Sequence, residues 1–412
     1  MSNYTAKFPI YALSYHAPTC TLILGGGGGP SRSGIPNGFL VLRIVESGKS
    51  FKAEEVGELR TGDEAVMSLS LYDDKTDCLL VAGVNDRCWL LEFESGASQN
   101  DDRVSSIVKA LNSGQSPKLL NPTTTAPLNL LRTIQSDSSP NDDGYLRVTR
   151  FTAMGRSFLA AGSDGSVREW AVPEMRLLSK VETEGEILDT DKTDSFMALV
   201  TSAGTIQLKP KDAETIHLKP SDSFIYKLVR FHKNFLVAVE NFKPSPSASK
   251  KSKKNPRLVI YNLDQLQKSK QNLKPFKSQT LPITKNCTCI HLNSDHLSFG
   301  FADGSLLVLS FTNPSMAFLT RKEAHPFPVT GLAVDPTKNI LISSSADGQI
   351  LISQIPSKPV STSSPSSTFL FLLVISLLVL LLAVLSQNFD FKWSEIDDFD
   401  SFYKLFPTEV EL

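Results

Sequence analysis

The residues whose types and spacing could do chemistry are gathered in one glycine-rich stretch near the start of the chain. Residues 25–38 read Gly-Gly-Gly-Gly-Gly-Pro-Ser-Arg-Ser-Gly-Ile-Pro-Asn-Gly. Because glycine has no Cβ, it adopts positive φ readily and lets backbone N–H and C=O groups approach a ligand closely. Ile35-Pro36 then restricts the backbone in the second half of the stretch. The chemistry on offer is therefore recognition by bare backbone rather than by reactive side chains.

Several interpretations of this loop compete. A phosphate-binding loop would end in Gly-Lys-Ser/Thr before a helix, and a dinucleotide fingerprint would also open a helix. Here the loop runs instead into Phe39–Ile44, a strand-like segment, so both are excluded. A flexible hairpin tip without a role stays open beside the remaining interpretation, a backbone-lined cation site or a protein-contact loop.

Other chemistry is sparse. The six histidines are scattered, and none is spaced to form a ligand pair with a carboxylate, so we predict no metal-hydrolase site. The five cysteines form no Cys-x-x-Cys pair, and their odd number indicates reduced thiols. Cys287-Thr-Cys289 lies in a strand-like run, where both thiols would share one face and pack in the core. The net charge of -1 argues against a nucleic-acid partner.

Short strands must position the glycine-rich loop. Apolar runs recur in triplets, and Asp-Gly turns recur between the second and third run at Asp164, Asp303 and Asp347. Asp-Gly supplies the positive φ that a tight hairpin needs. The distance from Asp303 to Asp347 fits a four-stranded blade of roughly 40 to 45 residues. With the strands around Gly25 as the first unit, we predict an all-β, seven-bladed WD40-like β-propeller, although periodicity alone leaves six or eight blades open.

A different segment follows the propeller. Residues 369–386 contain no charged residue, and a helix of this length would be about 27 Å long, which matches the bilayer of the endoplasmic reticulum. We expect a single transmembrane helix there. Because the start of the chain shows no signal peptide, we expect the propeller in the cytosol and the C-terminus in the lumen. The predicted organisation is a propeller at 1–356 with insertions at 95–125 and 243–256, a Ser/Pro linker at 357–368, the span at 369–386 and an acidic tail at 387–412.

These features carry a resemblance to a known family. Gly25–Gly28 followed by Gly34-Ile-Pro-Asn37 in the first blade, a divergent propeller with degraded WD40 signatures such as Ala324-His325, and one C-terminal span resemble the endoplasmic-reticulum COPII guanine-nucleotide exchange factors, the prolactin regulatory element-binding protein family. The glycine-rich loop is the most specific element of the resemblance.

The resemblance implies a function without covalent chemistry and without a small-molecule substrate. In this family the loop is organised around a potassium ion and presses on the nucleotide site of the secretion-associated Ras-like GTPase. It implies the leading role in exchange for Asn37, with Gly34, Ile35 and Pro36 shaping the loop tip, and carbonyl oxygens near Gly28 and Gly29 for potassium. It further implies that GTP loading starts COPII budding and transport from the endoplasmic reticulum to the Golgi.

Two points about the function stay open at this stage. The endoplasmic reticulum membrane is the expected location, with the Golgi membrane as a further candidate. The alternative function is a membrane-tethered WD40 scaffold that assists cargo exit without exchanging nucleotide. Relatives of that kind differ at the loop, so retention of residues 25–37 favours the exchange factor.

Overall fold

The structure is a computed structural model. It describes residues 2–31, 33–48, 50–73, 78–94, 126–139, 144–243, 254–268, 273–359, 375–381 and 384. The chain divides into two compact units, Met1–Val360 and Ser361–Leu412.

The first unit is a ring of seven antiparallel sheets of four strands each, which confirms the predicted seven-bladed propeller. Six blades use strands consecutive in sequence. The first three are β2 (Ile10–His16), β3 (Thr21–Gly26), β4 (Gly38–Ser47) and β5 (Ser50–Arg60); β6 (Val66–Asp73), β7 (Cys78–Val84), β8 (Arg87–Phe93) and β9 (Leu128–Gln135); and β10 (Leu146–Phe151), β11 (Ser157–Gly162), β12 (Ser166–Ala171) and β13 (Leu177–Glu182). The next three are β14 (Ile187–Lys192), β15 (Phe196–Thr201), β16 (Ile206–Pro210) and β17 (Ile216–Leu218); β18 (Phe224–His232), β19 (Phe235–Phe242), β20 (Arg257–Asn262) and β21 (Lys277–Thr280); and β22 (Cys287–Leu292), β23 (His296–Phe301), β24 (Leu306–Ser310) and β25 (Ala317–Arg321).

The seventh blade closes the ring by joining both ends of the propeller. Its inner strands are β26 (Val329–Asp335), β27 (Ile340–Ser345) and β28 (Gln349–Gln354), and its outer strand is β1 (Ser2–Thr5). β1 pairs antiparallel with β28, Asn3 opposite Leu351. This pairing satisfies the outer backbone groups of β28 and ties the first blade to the last. Two short helical segments complete the described elements of the first unit, a 3-10 turn at Ala17–Thr19 and α1 (Gln265–Lys268).

The core lies between neighbouring blades, where sheets pack face to face. Ile23, Phe39 and Val41 of the first blade pack with Val66 and Leu80 of the second. Middle strands are covered on both faces, so β3 is buried along its whole length and reads as an uninterrupted apolar run. Removing such side chains from water stabilises the fold by about 1.5 to 3 kcal/mol each.

The predicted Asp-Gly turns connect the second and third strands of their blades. Gly165, Gly304 and Gly348 have φ of 71°, 78° and 83°. L-residues with a side chain rarely adopt this conformation, which explains glycine at these three positions. The glycine-rich loop is the equivalent connection of the first blade, because it joins β3 to β4.

Each innermost strand carries a bulge close to its first residue. One residue per strand has no partner in the neighbouring strand, and the seven are Tyr11, Met67, Arg147, Leu188, Lys227, Thr288 and Thr330. The bulge at Thr288 corrects the expectation that Cys287 and Cys289 share a face. An extra residue reverses the alternation of side chains, so Cys287 packs with the core that includes Val237, and Cys289 packs with the core around Val329.

Parts of the predicted organisation fall outside the described residues. The insertion at 95–125 does, as do 244–253 of the second insertion, most of the linker and the tail. Within the predicted span, residues 375–381 and 384 are helical. In the part of the chain that the structure describes, no helix has both the length and the apolar character needed to cross a bilayer.

Candidate functional site

The glycine-rich loop, residues 27–37, is in close backbone contact with a neighbouring segment at each of its two ends. A Cβ on Gly26 would lie 1.9 Å from the carbonyl oxygen of Pro9, and a Cβ on Gly38 would lie 2.2 Å from that of Leu59. The Gly27 N–H donates to the same Pro9 oxygen at 3.1 Å. Glycine is required at both ends because each limb of the loop is pressed against a neighbouring segment.

Asn37 holds the two limbs of the loop together. Its Oδ1 accepts the N–H of Gly29 at 2.8 Å, and its Nδ2 donates to the carbonyl oxygen of Gly29 at 3.2 Å and to that of Gly62 at 3.0 Å. Both amide donors are therefore used. The Asn37 side chain is buried, and its backbone oxygen accepts the N–H of Thr61 at 3.3 Å. Asn37 thus links the start of the loop, its end and the β5–β6 connection.

The three side-chain hydrogen bonds of Asn37, called the Asn37 clasp below, can form only because residue 27 has no side chain. A Cβ on Gly27 would lie 2.0 Å from Asn37 Oδ1 and 2.7 Å from Asn37 Cα, and Gly27 has a φ of 147°. Burial raises the pKa of the Glu64 carboxyl two residues beyond Gly62. The base of the loop is therefore a closely packed, partly desolvated junction.

The other predicted site residues form the outer part of the loop. Ile35 is 40% exposed and covers Gly28, whose Cβ would lie 2.8 Å from that of Ile35. Pro36 is half-buried, and Gly34, with a φ of 77°, is exposed. The structure therefore brings Gly28, Gly29, Ile35 and Asn37 together, with Asn37 inside and Ile35 outside.

The carbonyl oxygens of Gly28 and Gly29 each already accept one hydrogen bond. Ser31 Oγ donates to Gly28 O at 2.8 Å, and Asn37 donates to Gly29 O. A backbone carbonyl has two lone pairs, so each oxygen retains one. Oxygen ligands from main chain in a glycine-rich turn suit a hard monovalent cation, and the residues present are compatible with potassium.

A second exposed apolar residue lies at the same end of the neighbouring blade. Phe327 is 55% exposed and precedes β26, and its carbonyl oxygen accepts the hydroxyl of Ser345 beside the Asp347 turn. The segment 6–9 connects this turn to the loop. The Ala6 N–H donates to Gly348 O at 2.8 Å, and the Pro9 carbonyl oxygen accepts the N–H of Gly27. Ile35 and Phe327 are thus presented by adjacent blades at one end of the propeller. Ile35 and Phe327 are far apart in the sequence, and no sequence pattern predicted that they would lie at the same end of the propeller.

The structure also assembles a group that sequence spacing did not indicate. Ligand atoms of His16, Asp73 and Cys78 lie within 4.8 Å of one another, and His16 Nε2 is 3.0 Å from Asp73 Oδ2. The three residues come from β2, β6 and β7, at the end of the blades opposite to the glycine-rich loop. Asp73 and Cys78 are paired on neighbouring strands of one hairpin, whereas His16 is 57 residues from Asp73 and reaches it only because the first blade packs on the second.

Known proteins resemble this chain in part. The family WD domain, G-beta repeat matches residues 317–352. A rat protein, Guanine nucleotide-exchange factor SEC12, is 29% identical over 198 residues, which is 45% of this chain and 46% of that protein. The mouse protein of the same name is 28% identical over the same shares. Each match thus spans less than half the length of the relative.

Among solved structures, the crystal structure of Chaetomium thermophilum Raptor has a TM-score of 0.57 and 10% sequence identity, and the match covers 87% of this chain and 29% of that one. At this identity the similarity concerns the fold alone. The WD40 match, the seven four-stranded blades and the similarity to two exchange factors together fit a divergent SEC12-like family.

Proposed function

We propose that this chain is a guanine-nucleotide exchange factor that loads the secretion-associated Ras-like small GTPase with GTP and so initiates COPII budding. The observation that carries the proposal is the glycine-rich loop with its Asn37 clasp, in a chain similar to exchange factors named SEC12. Ordering glycine costs more entropy than ordering other residues, so a fixed shape in a long glycine-rich segment favours a role for that shape.

Exchange requires that the factor and the bound nucleotide weaken each other's binding to the GTPase. A loop that is already ordered can do this efficiently, because little binding energy is lost in fixing its conformation. In this mechanism Asn37 is a positioning residue, since its amide is buried and both of its N–H donors are used, one within the loop and one to Gly62. Ile35, 40% exposed, provides the contact with the GTPase. The chain itself performs no covalent chemistry.

Potassium fits this mechanism as a further support of the loop. The free lone pairs of Gly28 O and Gly29 O would hold it, together with other oxygen ligands from the partly exposed turn. The ion would supply positive charge next to these carbonyl oxygens and so add stability to the turn.

Membrane attachment gives the activity its location in this proposal. The apolar residues 369–386 anchor the chain in the endoplasmic reticulum membrane, with the propeller in the cytosol and the tail in the lumen. GTP-bound product then forms beside the bilayer from which the vesicle buds.

The test is release of fluorescent GDP from the purified secretion-associated Ras-like GTPase, with excess GTP, in the presence of the full chain in detergent. We expect release to accelerate by orders of magnitude. A small GTPase of another family, in the same buffer, is the matched control and should not respond.

Binding of the GTPase without accelerated release would overturn the proposal and support the scaffold. Acceleration of both GTPases alike would keep exchange activity but remove the assigned partner.

A further inference from the structure

The innermost strands of the propeller enclose a central cavity of about 440 Å³. A cavity of this size is in the range that holds small ligands. All seven bulge residues line it, one from each blade. Because a bulge turns an extra side chain out of the strand ladder, the seven blades together direct a ring of side chains into the cavity.

The charge of this cavity is unbalanced. Among the described residues that line it, four carry positive charge, Arg147, Arg150, Lys227 and Arg230, and one carries a carboxylate, Asp189. Asp189 is buried and binds two of the cations: Oδ1 is 3.4 Å from Arg150 Nη2, and Oδ2 accepts Arg230 Nη1. Asp189 is thus shared by two guanidinium groups, and Asp191, which does not line the cavity, lies 4.0 Å from Arg150 as a second, longer ion pair.

The remaining two cations belong to the ring of bulges. Arg147 is 3.2 Å from Glu186, a half-exposed carboxylate. The ammonium of Lys227 forms no hydrogen bond and no ion pair with the described part of the chain, although the residue is half-buried. Burial and the proximity of Arg147 lower the pKa of Lys227, and burial and Arg230 lower that of Arg150. Crowding of like charges in a partly desolvated cavity is unfavourable unless an anion offsets it.

The bulge residues that line the cavity lie towards the end of the propeller that carries the glycine-rich loop. Each bulge lies near the start of its strand, and the starts of β2 and β10 pair with the ends of β3 and β11. Those ends lead into the glycine-rich loop and the Asp164 turn. The ring of bulge residues is therefore at the same end of the propeller as the loop. The Tyr11 hydroxyl in the same ring has no hydrogen-bond partner among the described residues and can donate to an anion.

We propose that the central cavity binds a small soluble anion carrying phosphate groups, held by Lys227 and Arg147 at the level of the bulges and by Arg150 and Arg230 deeper in the channel. Guanidinium groups bind phosphate oxygens in pairs, and an ammonium adds a point charge with three donors. This site is separate from the loop that carries the proposed exchange activity and does not depend on it.

The test uses pyrophosphate as the probe. Isothermal titration calorimetry of the full chain in detergent at low salt should show saturable binding, and the same probe should raise the midpoint of thermal unfolding. Lys227→Gln should weaken binding at least about tenfold, and Lys227→Gln with Arg147→Gln should abolish it. Lys322→Gln, an exposed residue outside the cavity, is the matched control and should bind as the wild type does.

Absence of saturable pyrophosphate binding by the wild type would overturn the proposal. An equal loss of pyrophosphate affinity in Lys322→Gln and Lys227→Gln would also overturn it, because it would indicate non-specific attraction. The circular dichroism spectra and unliganded unfolding midpoints of all variants establish that they are folded. Binding to vesicles that contain phosphoinositides, without binding of pyrophosphate, would also reject the soluble ligand.

Discussion

The same connection is built in two different ways in the first and seventh blades. In the seventh blade, residues 346–348 suffice: Asp347 Oδ1 accepts the N–H of Gln349 at 3.0 Å, and Gly348 supplies a φ of 83°. In the first blade, residues 27–37 make the same link, and Asn37 must hold them through three side-chain hydrogen bonds. The short turn is fixed by local rules and serves the fold. The long loop is fixed by contacts across the loop and serves another purpose, which we infer to be exchange.

The support beneath the two connections also differs. Under the Asp347 turn lies fully buried His325, whose Nε2 is 2.8 Å from Ser343 Oγ. The glycine-rich loop is supported instead by two backbone carbonyl oxygens: that of Pro9 accepts the Gly27 N–H, and that of Gly62 accepts the Asn37 side-chain amide. Changes at the two places should therefore separate stability from activity.

Removing the clasp should have the largest effect. Asn37→Ala deletes three hydrogen bonds, each worth about 0.5 to 1.5 kcal/mol, so the ordered loop should lose about 3 kcal/mol. We expect GDP release to be accelerated about 100-fold less than by the wild type, with the propeller still folded. The measurement is fluorescent GDP release, and Asn234→Ala, which removes one surface hydrogen bond to Asp264, is the control. Wild-type exchange by Asn37→Ala would show that the clasp is dispensable.

Crowding the clasp should have the next largest effect. Gly27→Ala places a methyl group 2.0 Å from Asn37 Oδ1 and should reduce exchange about thirtyfold, equivalent to about 2 kcal/mol. Gly34→Ala adds a methyl with no atom within 4 Å, so it tests positive φ alone in the same loop.

The corresponding change in the seventh blade sharpens the contrast. Gly348→Ala introduces strain at a φ of 83° and contacts of 2.9 Å with Ala6 O and Phe8 O, so it should lower the unfolding midpoint while leaving exchange close to normal. Equal loss of exchange in Gly27→Ala and Gly348→Ala would remove the distinction between the two connections.

Acid should weaken the seventh blade. Burial lowers the pKa of His325 to about 4, below the value of about 6.5 in an unfolded chain. The unfolded state therefore binds more protons as pH falls from 6.5 towards 4, and stability is lost over that window. At pH 5.5 the loss should be about 1.4 kcal/mol per such histidine, and burial lowers the pKa of His291 to about 4 as well.

The measurement is chemical denaturation at pH 7.5 and pH 5.5. His325→Gln should be less stable at pH 7.5 but should lose less stability on acidification than the wild type. An unchanged pH dependence in this variant would exclude His325 as the group responsible.

Cation replacement should have the smallest effect. If potassium uses the spare lone pairs of Gly28 O and Gly29 O, replacing it with sodium should slow exchange only severalfold, because Asn37 still holds the loop. The measurement is GDP release in matched chloride buffers. Identical rates in both buffers, or a complete loss in sodium, would contradict this division of roles.

Sequence patterns predicted what depends on near neighbours. The Asp-Gly turns at Asp164, Asp303 and Asp347 gave the blade period, since their positive φ is a local requirement. The family resemblance directed attention to Asn37. Its bond to Gly62 could not be predicted, because that contact depends on how β5 leaves the blade.

Features that depend on the closed ring could not be predicted. The pairing of Asn3 with Leu351 joins the first and last strands of the propeller sequence, and no local pattern indicates it. The bulges at Arg147 and Lys227 converge only because their strands surround one axis. A bulge also places Cys287 and Cys289 on opposite faces of the sheet, whereas strict alternation of side chains predicted that they share one face.

The most direct test of the account exchanges the two connections. Residues 27–37 are replaced by Ala-Asp-Gly, the turn at 346–348, and the full-length variant is assayed for fluorescent GDP release from the secretion-associated Ras-like GTPase. We expect a folded propeller with an unfolding midpoint close to that of the wild type and no acceleration of GDP release. Wild-type acceleration by this variant would contradict the assignment of exchange to the glycine-rich loop.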